Sequence, residues 1–232
     1  MQLVGLQKLT LLDYPGQVAC TVFTSGCNFR CPFCHNAPLV LPEITLLPRI
    51  DEEQVLAFLK KRQGVLDGVA VTGGEPLRHK DIGDVLDKVR ALGYKIKLDP
   101  NGSFPDRLKE LVEAGLVTRV AMDIKNSPAL YRDTAGVAGL DMAAIEESKN
   151  YLLSGVIDYE FRTTVVKGLH SQESLIDAAK WISGAREYYL QQFKDSGSVI
   201  DIGGLGAYDE QEMHALAQAV ALYVPSVQVR GV

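Results

Sequence analysis

"QVACTVFTSGCNFRCPFCHN" occupies residues 17–36, and its two halves differ in kind. Residues 17–24 are rich in β-branched and aromatic side chains, the composition of a buried strand. Gly26 after this run and Pro32 within the next favour a turning loop over a helix, so the strand runs directly into a loop. That order recurs along the chain. "GVAVT" (68–72) leads into "TGGEP" (72–76), "YKIKLD" (94–99) into "DPNG" (99–102), and "TRVAMDI" (118–124) closes on "MDIK" (122–125). Two further runs, "DYEFRTTVV" (158–166) and "EYYLQQF" (187–193), bring the expected strands to six.

Segments of helical period separate these runs. Val55, Phe58 and Leu59 share one face, with Asp51 and Gln54 placed to cap and box its start. Ile82, Val85, Leu86 and Val89 form a second stripe, ended by Gly93. Leu108, Leu111 and Val112 form a third, after Pro105 in a first helical turn. Three more carry Ile145, Leu152 and Leu153, stopping at Gly155; Leu175, Ile176, Ala179 and Ile182, after Ser171; and Met213, Leu216, Ala217 and Val220. Six strands alternating with six helices imply an α/β fold of parallel strands, right-handed crossovers and outer helices. The unusual residues all sit at or just beyond the C-terminal ends of consecutive strands. This favours a curved sheet, a complete or partial barrel with its site on the C-terminal face, over an open doubly wound sheet. No linker, composition break or internal repeat divides the chain, so residues 1–232 are expected to form one domain.

Charge narrows the partners. There are 24 Lys and Arg against 29 Asp and Glu, with no basic run, so a nucleic-acid partner is not expected. No stretch approaches about 20 uninterrupted apolar residues, and no membrane span is expected. Lys8 and Asp13 interrupt any signal-peptide core at the N-terminus. Three of the four cysteines share one loop, which is not a secreted disulfide framework. A cytoplasmic location with reduced thiols follows as the expectation.

Cys27, Cys31 and Cys34 are spaced C-x3-C-x2-C. A short turning loop can wrap three sulfurs around one compact object. One reading is a structural zinc site with His35 as fourth ligand, in a zinc-stabilised binding module. His35 directly follows Cys34, however, and structural zinc sites usually draw their ligands in two separated pairs. The favoured reading is a cubane iron–sulfur cluster with one iron lacking a protein ligand, where cluster carriers use four cysteines. The open position makes sense if a substrate or cofactor must bind that iron. Cys20 lies within a strand and reads as a small buried hydrophobe.

Other residues join these by position. Gly73 and Gly74 let backbone approach a neighbour closely, and Glu75 follows them. Asp99 ends the third strand, where an Asp-Pro-Asn-Gly turn needs no ligand. Asp123 and Lys125 are two apart on a strand and so point to one face. Burying both against a sheet is costly unless they pair or meet a ligand. Arg162 and Thr164 share a face by the same arithmetic. His79, His170 and His214 have no partners readable from sequence and are expected in solvent. The stretch 194–208 contains four glycines and reads either as a mobile flap or as a plain surface connection.

The block "LDYPGQVACTVFTSGCNFRCPFCHN" (12–36), with "TGGEP" after the next strand, resembles the radical S-adenosylmethionine (radical SAM) superfamily. Within it, the chain is most similar to activating enzymes of glycyl radical enzymes, and closest to activases of anaerobic ribonucleoside-triphosphate reductase. The resemblance implies a partial (βα)6 barrel of the radical SAM type. It also implies a [4Fe–4S] cluster on Cys27, Cys31 and Cys34 whose open iron chelates the amino and carboxylate groups of S-adenosylmethionine. One electron from a flavodoxin- or ferredoxin-type donor would then yield methionine and a 5′-deoxyadenosyl radical. That radical would take a hydrogen from a glycine Cα of the partner. By the same resemblance Gly73, Gly74 and Glu75 bind the methionine amino group, and Asp123 and Lys125 the ribose and methionyl carboxylate. Arg162 matches an arginine near the cofactor, Phe33 and His35 line the adenine, and Asp99 is carried over as a cofactor residue. Pro100 stands where relatives tend to carry a threonine that helps hold a monovalent cation, which is a departure at that cation site. Relatives with auxiliary clusters need more cysteines than this chain has.

Overall fold

A computed structural model of the chain describes residues 1–41, 48–195 and 197–232, which cluster in two compact units. The first comprises residues 1–28, 38–100 and 104–121, and the second 29–37, 101–103 and 122–232.

In the first unit the strands are β1 (Leu3–Thr10), β2 (Ala19–Thr24), β3 (Gly68–Gly73), β4 (Lys95–Leu98) and the start of β5 (Arg119–Asp123), neighbours in chain order. β1 runs antiparallel to β2, whereas β2, β3, β4 and β5 are mutually parallel. β2 is buried along nearly its whole length, as a strand covered on both faces requires. A short helix α1 (Ala37–Val40) precedes α2 (Glu52–Lys61), α3 (Ile82–Ala91) and α4 (Pro105–Glu113). The capping box of Asp51 and Gln54 starts α2 as expected, and Glu52, Glu53, Lys60 and Lys61 complement its dipole. Leu59, Ile82, Leu86 and Leu108 are fully buried, each contributing about 1.5–3 kcal/mol of transfer free energy. The "LDYPG" leader is packed within this unit. Asp13 accepts a hydrogen bond from the Thr21 hydroxyl, and the Tyr14 and Thr118 hydroxyls are 2.8 Å apart.

The second unit takes the end of β5 with β6 (Asp158–Val165), β7 (Tyr188–Gln192) and β8 (Val227–Arg230). The Ile124 N–H donates to the Arg162 carbonyl at 2.7 Å, and β6, β7 and β8 are parallel in that order. Its helices are α5 (Tyr131–Ala135), α6 (Met142–Leu153), α7 (Gln172–Trp181) and α8 (Glu210–Ala221). Ser171 caps α7 and Asp209 caps α8, each through a box. Arg230 forks onto the fully buried Glu160 carboxylate at 2.9 and 3.2 Å, which ties β8 to β6.

All six expected strands and all six expected helices are present. β1, β8, α1 and α5 are additions. No described helix is long and apolar enough to cross a membrane.

Candidate active site

The residues singled out above divide between the units. Cys27, Gly73, Gly74, Glu75 and Asp99 belong to the first; Cys31, Phe33, Cys34, His35, Asp123, Lys125 and Arg162 belong to the second.

In the first unit the glycines pack against backbone. Gly73 has φ 118°, and a Cβ there would lie 2.4 Å from both the N and O of Thr24. A Cβ on Gly74 would lie 2.0 Å from the Gly26 carbonyl oxygen. Gly74 N–H donates to Thr24 O at 3.0 Å and Glu75 N–H to Gly26 O at 2.8 Å. The "TGGE" turn therefore braces the residues leading into Cys27. The buried Glu75 carboxylate accepts from the Leu77 N–H at 2.9 Å, capping the 3-10 turn Pro76–Arg78. Asp99 pairs with Lys97 at 2.6 Å, and both side chains are nearly fully buried. His79 is half-buried, not solvated as expected, with Nε2 2.8 Å from the Ser25 carbonyl.

In the second unit the cysteine loop and the strand-end charges lie close enough to act on one another. The Cys34 N–H donates to Cys31 O at 3.0 Å, closing one turn that carries both thiols. Burial pushes the Cys31 thiol up to about 11, while the Lys125 ammonium pulls it the other way. Cys34 is raised by burial too, and Lys125 again favours its thiolate. Lys125 Nζ donates to Asp123 Oδ2 at 2.8 Å. Arg162 reaches Asp123 Oδ1 through Nε at 3.1 Å and a terminal nitrogen at 3.0 Å. Burial alone would raise the Asp123 carboxyl, but Lys125 and Arg162 outweigh it and hold it at about 2. The two cations outnumber the carboxylate in this trio, a charge balance suited to an anionic ligand group. The structural ion pair weighed from sequence is thus present, enlarged by Arg162.

Phe33 is buried with its ring edge-on to His170, and the His35 and Phe193 rings meet edge-on at 5.4 Å. His170 is 2% exposed, against the expectation that it stands in solvent. Its partners are backbone groups, which no sequence pattern announces. His214 is exposed as expected. In the stretch 194–208, residue 196 lies outside the described residues. The Asp201 N–H donates to Pro32 O at 2.9 Å, and Lys167 and Gly206 exchange both backbone hydrogen bonds. The Arg30 N–H donates to Ala135 O at 2.9 Å, so α5 carries part of the cysteine loop. The sequence reading missed α5; its only signal is "YRDTAG" ending at left-handed Gly136.

Residues 21–182 match the Radical SAM superfamily, and the chain belongs to that family. Over 238 aligned residues it is 27% identical to a Methanocaldococcus jannaschii protein named "Putative glycyl-radical enzyme activating enzyme MJ1227", covering 98% of this chain and 95% of that protein. It is 40% identical over 118 residues to a GTP 3′,8-cyclase of Aquifex aeolicus, covering 47% of this chain and 35% of that enzyme. Its fold is similar to a crystal structure of a domain of pyruvate-formate lyase-activating enzyme from Bacteroides vulgatus, with TM-score 0.58 and 16% identity over 71% of this chain and 99% of that one. The fold is therefore the parallel α/β partial barrel of radical SAM proteins, and the cofactors are a [4Fe–4S] cluster and S-adenosylmethionine. The donor set fits them: no cysteine is in a disulfide, and the half-buried Lys125 ammonium favours thiolate at Cys31 and Cys34, the chemical state in which cysteine ligates iron. Membership replaces the zinc-stabilised binding module.

Proposed function

We propose that this chain is an activase that removes a hydrogen atom from a glycine Cα of a partner enzyme, leaving a glycyl radical there. The observation carrying this reading is the end-to-end alignment with the M. jannaschii relative, 98% of one chain against 95% of the other. The GTP cyclase aligns over about half of this chain.

In this reading Cys27, Cys31 and Cys34 would hold the cluster. When bound, the two cofactors together with one electron supply a hydrogen-abstracting radical. The chain's own residues bind, orient and exclude water. Lys125 and Arg162, steadied by Asp123, take the methionyl carboxylate and ribose. Gly73, Gly74 and Glu75 present backbone and carboxylate to the amino group, Asp99 is a further cofactor residue, and Phe33 and His35 flank the adenine. Residues 1–232 act as one cytoplasmic domain served by a flavodoxin- or ferredoxin-type donor.

The partner we assign is anaerobic ribonucleoside-triphosphate reductase. Support comes from the leader "LLDYPG" and the "CHN" after the cysteine loop. Asp13 and Tyr14 of that leader are engaged in packing, so the assignment rests on resemblance. The test offers the reconstituted protein, with reductant and S-adenosylmethionine, to the reductase and to a pyruvate formate-lyase. A glycyl radical doublet in the paramagnetic resonance spectrum of the reductase is expected, lost when its target glycine is alanine. A doublet on the lyase alone keeps the activase and refutes the partner.

A further inference from the structure

At the end of β5 and just beyond it, the carbonyls of Asp123, Ile124 and Lys125 each receive a side-chain donor. Tyr131, from α5, donates its hydroxyl to Asp123 O at 3.1 Å. Thr163, from β6, donates Oγ1 to Ile124 O at 2.6 Å. His170, in the turn before α7, reaches Lys125 O with Nε2 at 2.8 Å. The role of the imidazole is fixed by its other nitrogen. Nδ1 accepts the Val166 N–H at 3.1 Å, so Nε2 carries the proton and donates. All three side chains are buried, none more than 2% exposed. The neighbouring residue is held likewise, because Asn126 Nδ2 donates to Leu169 O at 3.0 Å and Thr134 Oγ1 at 2.8 Å.

These donors come from three different elements and converge on the segment that carries the charged pair. These contacts hold the peptide planes on both sides of residue 125 and the plane following residue 123, which fixes the Lys125 Cα–Cβ direction and restrains that of Asp123, and hence where ammonium and carboxylate point. A strand continuing its ladder would satisfy the same carbonyls without buried hydroxyls or an imidazole.

We infer that Tyr131, Thr163 and His170 are positioning residues that aim Asp123 and Lys125 at S-adenosylmethionine. The inference rests on the reading of that pair as cofactor residues.

The test uses full-length, anaerobically reconstituted protein without reductant. S-adenosylmethionine affinity is measured by equilibrium dialysis, and iron and sulfide are measured alongside. Tyr131→Phe, Thr163→Val and His170→Leu should each bind the cofactor roughly five- to tenfold more weakly, the size of one lost hydrogen bond. Iron content should stay at the wild-type level. His170→Gln keeps one acceptor and one donor and should recover most of the affinity. Wild-type affinity in folded Tyr131→Phe and Thr163→Val overturns the inference, as does loss of iron in step with affinity. Those two variants decide the matter if His170→Leu fails to fold. Asp123→Asn and Lys125→Gln are measured in parallel. Unchanged affinity there refutes the pair's cofactor role, and the inference falls with it. Weakened affinity there beside unaffected positioning variants refutes the inference alone.

Discussion

At the scale of single residues, burial sets which thiols can hold a cluster. Cys20 is fully enclosed in β2 and its thiol is pushed up to about 12, so it stays a protonated hydrophobe. Cys20→Ala should therefore keep full iron and sulfide after anaerobic reconstitution and lose roughly 1 kcal/mol of stability. Alanine at Cys27, Cys31 or Cys34 should lose the cluster's visible absorbance, and Cys20→Ala losing it too would contradict the assignment. Asp123 titrates in the opposite sense. Its carboxyl lies at about 2 against an ordinary 3.8, so the stabilisation is complete above the ordinary value and disappears as pH falls toward 2. Acid unfolding followed by circular dichroism should show Asp123→Asn less stable by roughly 2 kcal/mol at neutral pH. The same variant should have a flatter acid limb across that window. Much of this was legible: a two-residue spacing put Asp123 and Lys125 on one face. The sequence puts Arg162 near the cofactor but not on Asp123, because a contact across strands depends on register. His170 was misread because its partners are a backbone N–H and a backbone carbonyl.

Elements show what periodicity can and cannot announce. Six strands and six helices were readable because each is long enough to show a buried run or an apolar stripe. β1 escaped because only its ends, Leu3 and Thr10, are buried. β8 has four residues, none of them buried, and α1 and α5 are shorter than two helical turns. The last of these matters most to the site. Gly136 ends α5 at φ 67°, and a Cβ there would lie 2.2 Å from the Arg30 carbonyl, one residue before Cys31. Gly136→Ala should displace the cysteine loop, lowering both the melting temperature and the iron retained after gel filtration. Gly64 is the control, with φ 77° and nothing within 4 Å of its would-be Cβ. Gly64→Ala should cost only the left-handed backbone penalty, about 1–2 kcal/mol, with iron unchanged. Equal iron loss in both variants would mean that the steric contact at Arg30 plays no part.

At the scale of the whole molecule, two compact units raise the question of cooperativity. If residues 1–232 act as one domain, calorimetry of the reconstituted protein should give a single transition whose calorimetric and van't Hoff enthalpies agree. Two separate transitions would assign independent stability to the units. With a net charge of −5 and no basic run, the surface offers little steering field, so activation rates should vary little between low and physiological salt. The most direct test of glycine hydrogen abstraction follows the atom itself. A partner enzyme carrying Cα-deuterated glycine is incubated anaerobically with the reconstituted protein, reductant and S-adenosylmethionine, and the 5′-deoxyadenosine formed is weighed by mass spectrometry. One deuterium in the 5′-deoxyadenosine, with a glycyl radical left on the partner, is the expected result. Unlabelled 5′-deoxyadenosine formed beside a partner that gains no radical would contradict it.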